Sequence, residues 1–420
     1  MLPITRPLTF SVRLLACLTL AAAWSSCSTA IRQHVVAPGA GVSPVFADNL
    51  GRALGAPMTT SNKVEELING VQIFPAMLEA IRRATNSITF ENFIWRSGSL
   101  SDQFIDAMAE RARAGVHVLV LLDHFGTLKF ENDDERRLRE SGVRLLKYNR
   151  LWKVWRWNHR THRKLMVVDG RIGFIGGACV GDRWMGDAEH KPLWRDTHYR
   201  VEGPVVAQMQ RVFATNWKQE TGEELPGSAF TELAPAGRAA AQCFQSGPGE
   251  GEGNARLALL ESIRAARTDI RIAHSYFVPD RQSLRALLEA RKRGVRVEIM
   301  TPGVIDANVV RRASRSKWEE LLEAGIVFYE YDPTRFHCKT LIVDGEWVSV
   351  GSVNFDPRSF NINDEANLNV FDREFAQRQI EVFERDKQKS VRVTLESHRH
   401  RSTVWVRLVE RFYGLFSPLL

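Results

Sequence analysis

The sequence predicts an α/β fold made of one unit used twice. Three observations carry this: a His-x-Lys motif that occurs in two copies, a wider set of matches around the copies, and an alternation of helical and strand patterns inside each unit. His162-Arg163-Lys164, four residues, then Asp169 is repeated as His337-Cys338-Lys339, four residues, then Asp344, and Gly176-Gly177 and Gly351-Ser352 follow the two copies. A motif that must pair with itself to build one site explains why both copies are kept in one chain.

The matches extend beyond the motif. Ala80-Ile81-Arg82-Arg83-Ala84 is similar to Ser262-Ile263-Arg264-Ala265-Ala266, Ala114-Gly115-Val116 to Arg293-Gly294-Val295, and Ser141-Gly142-Val143 to Ala324-Gly325-Ile326. The stretch from Gly142 to His162 is longer than that from Gly325 to His337, so the first copy carries an insertion near Leu151–Asn158.

Within each unit the elements follow in the same order. Residues 76–85 and 255–266 have helical apolar spacing, and 87–95 and 269–277 read as strands. Helices are predicted at 100–114 and 281–293, ending near Gly115 and Gly294, and apolar strands at 116–122 and 295–301. Strands alternating with helices imply a parallel or mixed sheet covered on both faces. Lys164–Val168 and Thr340–Val343 then run into Asp169-Gly170 and Asp344-Gly345, each a hairpin turn into the next apolar strand. Alternation along a strand puts His162 with Lys164, and His337 with Lys339, on one face. Each copy presents an imidazole beside an ammonium.

That pairing suits an anionic phosphodiester. Lys164 and Lys339 would neutralise the non-bridging oxygens and Asn354 would add a neutral donor. One histidine must be neutral to attack and the other protonated to donate, and a side chain with an ordinary pKa of about 6.5 fills either role near neutrality. The product of attack is a covalent phosphohistidine that water or an alcohol resolves. No cofactor is needed, and no His, Cys or Asp cluster has zinc spacing.

The paired motifs resemble the phospholipase D superfamily. Gly351-Ser352-Val353-Asn354-Phe355-Asp356-Pro357-Arg358-Ser359-Phe360 with Asn363-Asp364-Glu365, Tyr276-Phe277-Val278-Pro279-Asp280, and Trp194-Arg195-Asp196 resemble bacterial cardiolipin synthases, over roughly Val64 to Asp372. The resemblance implies two pseudo-symmetric α/β/α sandwich units packed face to face with one shared active site. It implies a catalytic set of His162, Lys164, Asp169, His337, Lys339 and Asp344, with Asn354, Ser352 and Gly177 binding substrate. His162 would be the nucleophile and His337 the acid, with Asp196 and Glu365 orienting the imidazoles and Asp169 and Asp344 holding the Asp-Gly turns. The implied reaction is phosphatidyl transfer giving cardiolipin from phosphatidylglycerol; hydrolysis of a phospholipid or nucleic acid diester by the same site is the alternative. One departure stands out: Gly176-Gly177-Ala178-Cys179 ends in cysteine where the family places asparagine.

The expected organisation is a leader at 1–30, a linker at 31–60, a first unit at 61–220, a linker at 221–253, a second unit at 254–390 and a basic amphipathic tail at 391–420. In the leader, Arg6 and Arg13 precede the eleven-residue apolar run Leu14–Trp24, shorter than a spanning helix of about 20 residues. Ser25-Ser26-Cys27 resembles the end of a lipoprotein signal and Ser28-Thr29-Ala30 that of an ordinary secretory one, so export to the cell envelope is expected, with a lipid anchor at Cys27 favoured. Five cysteines do not form a disulfide framework. The net charge of +8 implies an acidic partner. Trp152, Trp155 and Trp157, interleaved with cations, and the arginine-rich helical pattern of Trp405–Phe416 favour an anionic phospholipid membrane over nucleic acid. Both histidines lie in one chain, so no oligomer is required.

Overall fold

The computed structural model describes residues 35–149, 158–304 and 308–401. Its strands are β1 Thr59–Ile68, β2 Ser87–Asn92, β3 His117–Asp123, β4 Arg144–Tyr148, β5 Lys164–Val168, β6 Ile172–Gly176, β7 Trp194–Arg195 and β8 Thr197–Glu202, then β9 Ala239–Ser246, β10 Asp269–His274, β11 Arg296–Val304, β12 Val327–Phe336, β13 Lys339–Val343, β14 Trp347–Gly351, β15 Glu365–Phe371 and β16 Ser390–Val393. The sheet runs β16-β12-β11-β10-β13-β14-β15-β9-β1-β8-β6-β5-β2-β3-β4, with β7 beside β12. Read outward from the central β9–β1 pair, the two directions match strand for strand: β8-β6-β5-β2-β3-β4 on one side and β15-β14-β13-β10-β11-β12 on the other. The internal repeat is therefore a pseudo-two-fold. Within each half the sheet is mixed: β2, β3 and β4 are parallel, while β5 and β6 form an antiparallel hairpin beside β2.

Strand composition follows burial. All positions of β2, β5 and β13 are buried; β5 is an apolar run behind Lys164 and β13 one behind Lys339 and Thr340, whereas β2 buries Ser87, Thr89, Glu91 and Asn92 beside Ile88 and Phe90. The helix Asn69–Arg83 covers one face of the first half with Ile73, Phe74, Met77, Leu78 and Ile81, a spacing that puts them on one stripe. A second core lies between the halves: Leu165, Val167, Ile175 and Tyr199 of the first meet Ile342, Val348, Val350 and Leu368 of the second, together with Met209, Phe213 and Trp217 of the helix Val206–Thr221. The units thus pack face to face.

Most predicted elements recur within a few residues of their expected ends, as the helices at Asn254–Ala265, Ser99–Arg113 and Arg281–Lys292 do; the helix expected at 76–85 instead begins at Asn69 and runs through Pro75 to Arg83. The segment expected as the interdomain linker differs. It contains β9, which pairs with β15 over seven residues from Glu365↔Ser246 to Phe371↔Ala240, and with β1 at Thr59↔Ala241 and Asn62↔Ala239. Its alanines fit there because a central strand buried between layers leaves little room for side chains. The segment expected as an N-terminal linker also holds structure: a helix, Pro44–Leu54, whose cap Ser43 accepts from the amide of Phe46 at 3.2 Å, and Phe46 meets the Trp347 ring edge-on at 5.1 Å. The tail begins with β16, paired with β12, and the helix Leu395–Arg401. Cys27, the tryptophans at 152, 155 and 157, and the pattern from Trp405 onward lie outside the described residues. Among the described residues no helix is long and apolar enough to cross a membrane.

Candidate active site

Each motif sits at the start of a buried hairpin. Asp169 and Gly170 have φ of 53° and 65°, and Asp344 and Gly345 of 53° and 63°, the left-handed pair that joins twisted strands in two residues. The aspartates, grouped in sequence with the catalytic set, have their carboxylates committed elsewhere. Asp169 accepts from the amides of Asn86 at 2.7 Å and of Thr85 and Ser87 at 2.9 Å. Asp344 accepts from the amides of Thr268 at 2.8 Å, Arg267 at 2.9 Å and Asp269 at 3.1 Å. Each carboxylate therefore ties its hairpin to the entrance of the neighbouring strand, β2 or β10.

The imidazoles are held by carboxylates of the opposite half. His162 Nδ1 lies 3.0 Å from both oxygens of Glu365, and His337 Nδ1 lies 2.7 Å from Asp196 Oδ2. The backbone makes the same exchange: the His162 amide donates to Asp364 O at 2.8 Å and the His337 amide to Arg195 O at 2.7 Å. With Nδ1 engaged by a carboxylate, Nε2 is the ring nitrogen left for chemistry in both residues.

Ser352 and Gly177, expected to bind substrate, serve these carboxylates. Ser352 Oγ donates to Glu365 Oε2 at 2.5 Å and Ser359 Oγ to Oε1 at 2.8 Å. A Cβ at Gly177 would fall 2.2 Å from Asp196 Oδ1, so only glycine lets that carboxylate sit where it does. Asp196 instead accepts from Trp184 Nε1 at 3.0 Å and from the Thr197 amide at 2.8 Å.

The lysines are buried beside the imidazoles. Lys339 Nζ donates to His337 O at 2.7 Å and to Ser275 Oγ at 3.0 Å, and the Ser275 hydroxyl donates to Asn354 Oδ1 at 2.9 Å. Lys164 Nζ donates to His162 O and lies 5.2 Å from the centre of the Phe93 ring. Phe93 occupies in the first half the place of Ser275 in the second, and Cys179 that of Asn354. The Cys179 thiol is fully buried and its pKa is raised by that burial, so it packs as a small neutral group. The second half is thus the polar side of the centre and the first half the softer one.

Burial and charge set the protonation states. His162 is pushed well below its ordinary pKa by burial, then by Lys164, Lys339 and His337. Lys164 is lowered to about 8 by burial, and Glu365 is raised to about 7 by burial against the opposing pull of Lys164. Asp196 differs. Burial would raise it, but the charge and hydrogen bond of His337, with Lys339 behind them, hold it below the usual carboxylate range. His337 is lowered by burial and Lys339, with Asp196 working the other way. Asp196 thus works against the lowering at His337, and His162 is the imidazole driven further towards its neutral form.

Motif reading found both histidines, both lysines, Asn354 and the two orienting acids. It gave no role to Ser275 or Trp184, nor to Trp194 and Ser359, although the last two lie in segments that carry the family resemblance. Trp194 meets the His337 ring at 5.1 Å and Phe93 meets that of His162 at 5.0 Å, edge contacts that carry no local sequence signal. Among the described residues no group of three His, Cys, Asp or Glu side chains is placed to hold a metal ion.

A duplicated α/β body that brings two His-x-Lys hairpins to one centre has the architecture of the phospholipase D superfamily. A family profile described as cardiolipin synthase, phospholipase D-like domain, matches residues 77–217 and 259–387. The chain is 34% identical over 373 residues to a cardiolipin synthase of Alkalihalophilus pseudofirmus, covering 87% of this chain and 73% of the relative. It is 34% identical over 367 residues to cardiolipin synthase A of Pseudomonas entomophila, covering 87% and 76%. In fold it matches the crystal structure of phosphatidylserine synthase from Haemophilus influenzae with a TM-score of 0.69 at 15% identity, over 89% of this chain and 100% of that one. The chain belongs to the cardiolipin synthase family of phospholipase D-like proteins.

Proposed function

We propose that the protein transfers a phosphatidyl group from one phosphatidylglycerol to the headgroup hydroxyl of another, releasing glycerol and forming cardiolipin. The relation to curated cardiolipin synthases supports the substrates. The crossed imidazole–carboxylate pairs carry the mechanism. His162 Nε2 attacks phosphorus of the donor lipid; the bond from phosphorus to the glycerol oxygen breaks, and His337 Nε2–H gives that oxygen its proton. The phosphohistidine at His162 is then attacked by the acceptor hydroxyl, whose proton passes to His337 as the P–N bond breaks. Lys164 and Lys339 stabilise charge on the non-bridging oxygens, and Asn354 lies in the polar half of the same centre.

The assignment of His162 as nucleophile rests on its strongly lowered pKa and on Asp196 being the better ionised partner, at His337. The envelope location belongs to the same reading: the basic, apolar leader ending near Cys27, the net charge of +8 and the Trp and Arg segments suit an anionic membrane rather than nucleic acid. Phosphatidylglycerol vesicles test it. Cardiolipin with stoichiometric glycerol is expected; phosphatidic acid alone would mean that water resolves the intermediate and the protein is a hydrolase.

A further inference from the structure

The repeat carries one more matched pair. Arg160 and Arg335 each precede a catalytic histidine by two residues, giving Arg-x-His-x-Lys in both halves. Their surroundings differ. Arg160 lies 3.7 Å from the centre of the Phe125 ring and feels the carboxylate of Asp123. Arg335, at the end of β12, lies 5.5 Å from the Trp194 ring, and among the described residues its guanidinium has neither a hydrogen bond nor an ion pair. The register pairs Arg335 with Trp194 directly, since β7 runs parallel to the end of β12. Trp194 is 6% exposed, and its Nε1 is a buried donor without a hydrogen-bond partner. The same indole meets His337 edge-on at 5.1 Å.

Among the described residues two donors without partners, the Trp194 Nε1–H and the cationic Arg335, therefore lie on and beside the indole that packs against His337. A buried N–H without a partner is costly unless a ligand satisfies it, and a half-buried guanidinium stacked on an aromatic ring is suited to bidentate phosphate recognition. We propose that Arg335 and the Trp194 Nε1–H bind the phosphate of the acceptor lipid. This rests on the transferase reading above. In phosphatidylglycerol the reacting hydroxyl is separated from its own phosphate by the carbons of the glycerol headgroup, so anchoring that phosphate beside Trp194 brings the hydroxyl to His337, the base in the second step. Water carries no phosphate, and glycerol carries none either. The subsite would therefore select a phosphate-bearing alcohol as acceptor.

The test uses the full chain with phosphatidylglycerol vesicles containing labelled glycerol. Three products are counted for wild type, Arg335→Gln and Arg335→Lys: cardiolipin, phosphatidic acid, and phosphatidylglycerol that has exchanged its headgroup for labelled glycerol. Loss of a charge-assisted contact predicts that Arg335→Gln lowers cardiolipin relative to labelled phosphatidylglycerol roughly tenfold, with Arg335→Lys in between. An unchanged ratio overturns the proposal. So does a parallel fall of all three products, because Arg335 would then act by positioning Trp194 and His337 and not by holding the acceptor. Wild type that makes phosphatidic acid but no cardiolipin removes the transferase reading itself, and the acceptor subsite with it.

Discussion

His337 and the carboxylate that orients it, Asp196, lie 2.7 Å apart across the boundary between the two halves, and His162 and Glu365 repeat the exchange in the other direction. A histidine in either half is incomplete without the other half's strand. Both single substitutions, His162→Ala and His337→Ala, should therefore abolish turnover, since each removes a role that the other imidazole cannot fill while filling its own. Asp196→Asn should leave the fold intact and lower kcat by roughly 10² to 10⁴, measured by product formation and circular dichroism. Near-wild-type rates in either histidine variant would contradict a shared centre.

The pH optimum should be narrow. Glu365, raised to about 7, takes up a proton below that pH and stops supporting His162; Lys164, lowered to about 8, loses its charge above that pH. The rate is expected to fall on the acid side through Glu365 and on the alkaline side as His337 and then Lys164 lose their protons. Lys164→Arg should remove the part of the alkaline limb that belongs to Lys164 and leave the part set by His337, because a guanidinium keeps its proton throughout the range. Glu365→Gln should remove the acid limb.

Asp169→Ala is expected to damage stability more than chemistry. It strips the acceptor from three backbone amides at the entrance of β2. A loss of about 2–4 kcal/mol in denaturant unfolding is expected, with turnover per folded molecule retained. Retained stability with lost turnover would return Asp169 to the catalytic set.

Gly177→Ala should fold yet turn over slowly. The added methyl would displace Asp196 Oδ1, which lies 2.2 Å from the Cβ position. A pH profile in which the step dependent on His337 protonation has moved distinguishes this from general damage.

Turnover should persist in excess chelator, because Lys164 and Lys339 already supply the positive charge that the phosphodiester requires. Loss of activity that added divalent metal restores would refute that charge balance.

The repeat, the order of elements and the hairpins were legible because each depends on a short stretch: a 3.6-residue stripe, an apolar run, an Asp-Gly turn. Asp196 and Glu365 were legible as orienting acids, but the crossing of their partners was not, because it depends on β7 lying beside β12 and on the bridge between Thr161 and Asp364, both pairings between distant segments. Ser275 was missed for a related reason. It carries no motif, and its place beside Lys339 follows from β10 pairing with β13. In β9, a run of alanines flanked by glycine and proline looked like a connector, because its strand character comes from the partners on either side rather than from its own residues.

The crossing of carboxylates also says something about descent. A single-unit ancestor with this geometry would have had no complete imidazole pair of its own and would have needed a second copy of itself. Two copies carried in one polypeptide need not stay identical. Phe93 against Ser275, Cys179 against Asn354, and Arg160 on the Phe125 ring against Arg335 on the Trp194 ring are differences of that kind, and they give the two histidines of one centre unlike surroundings from the outset.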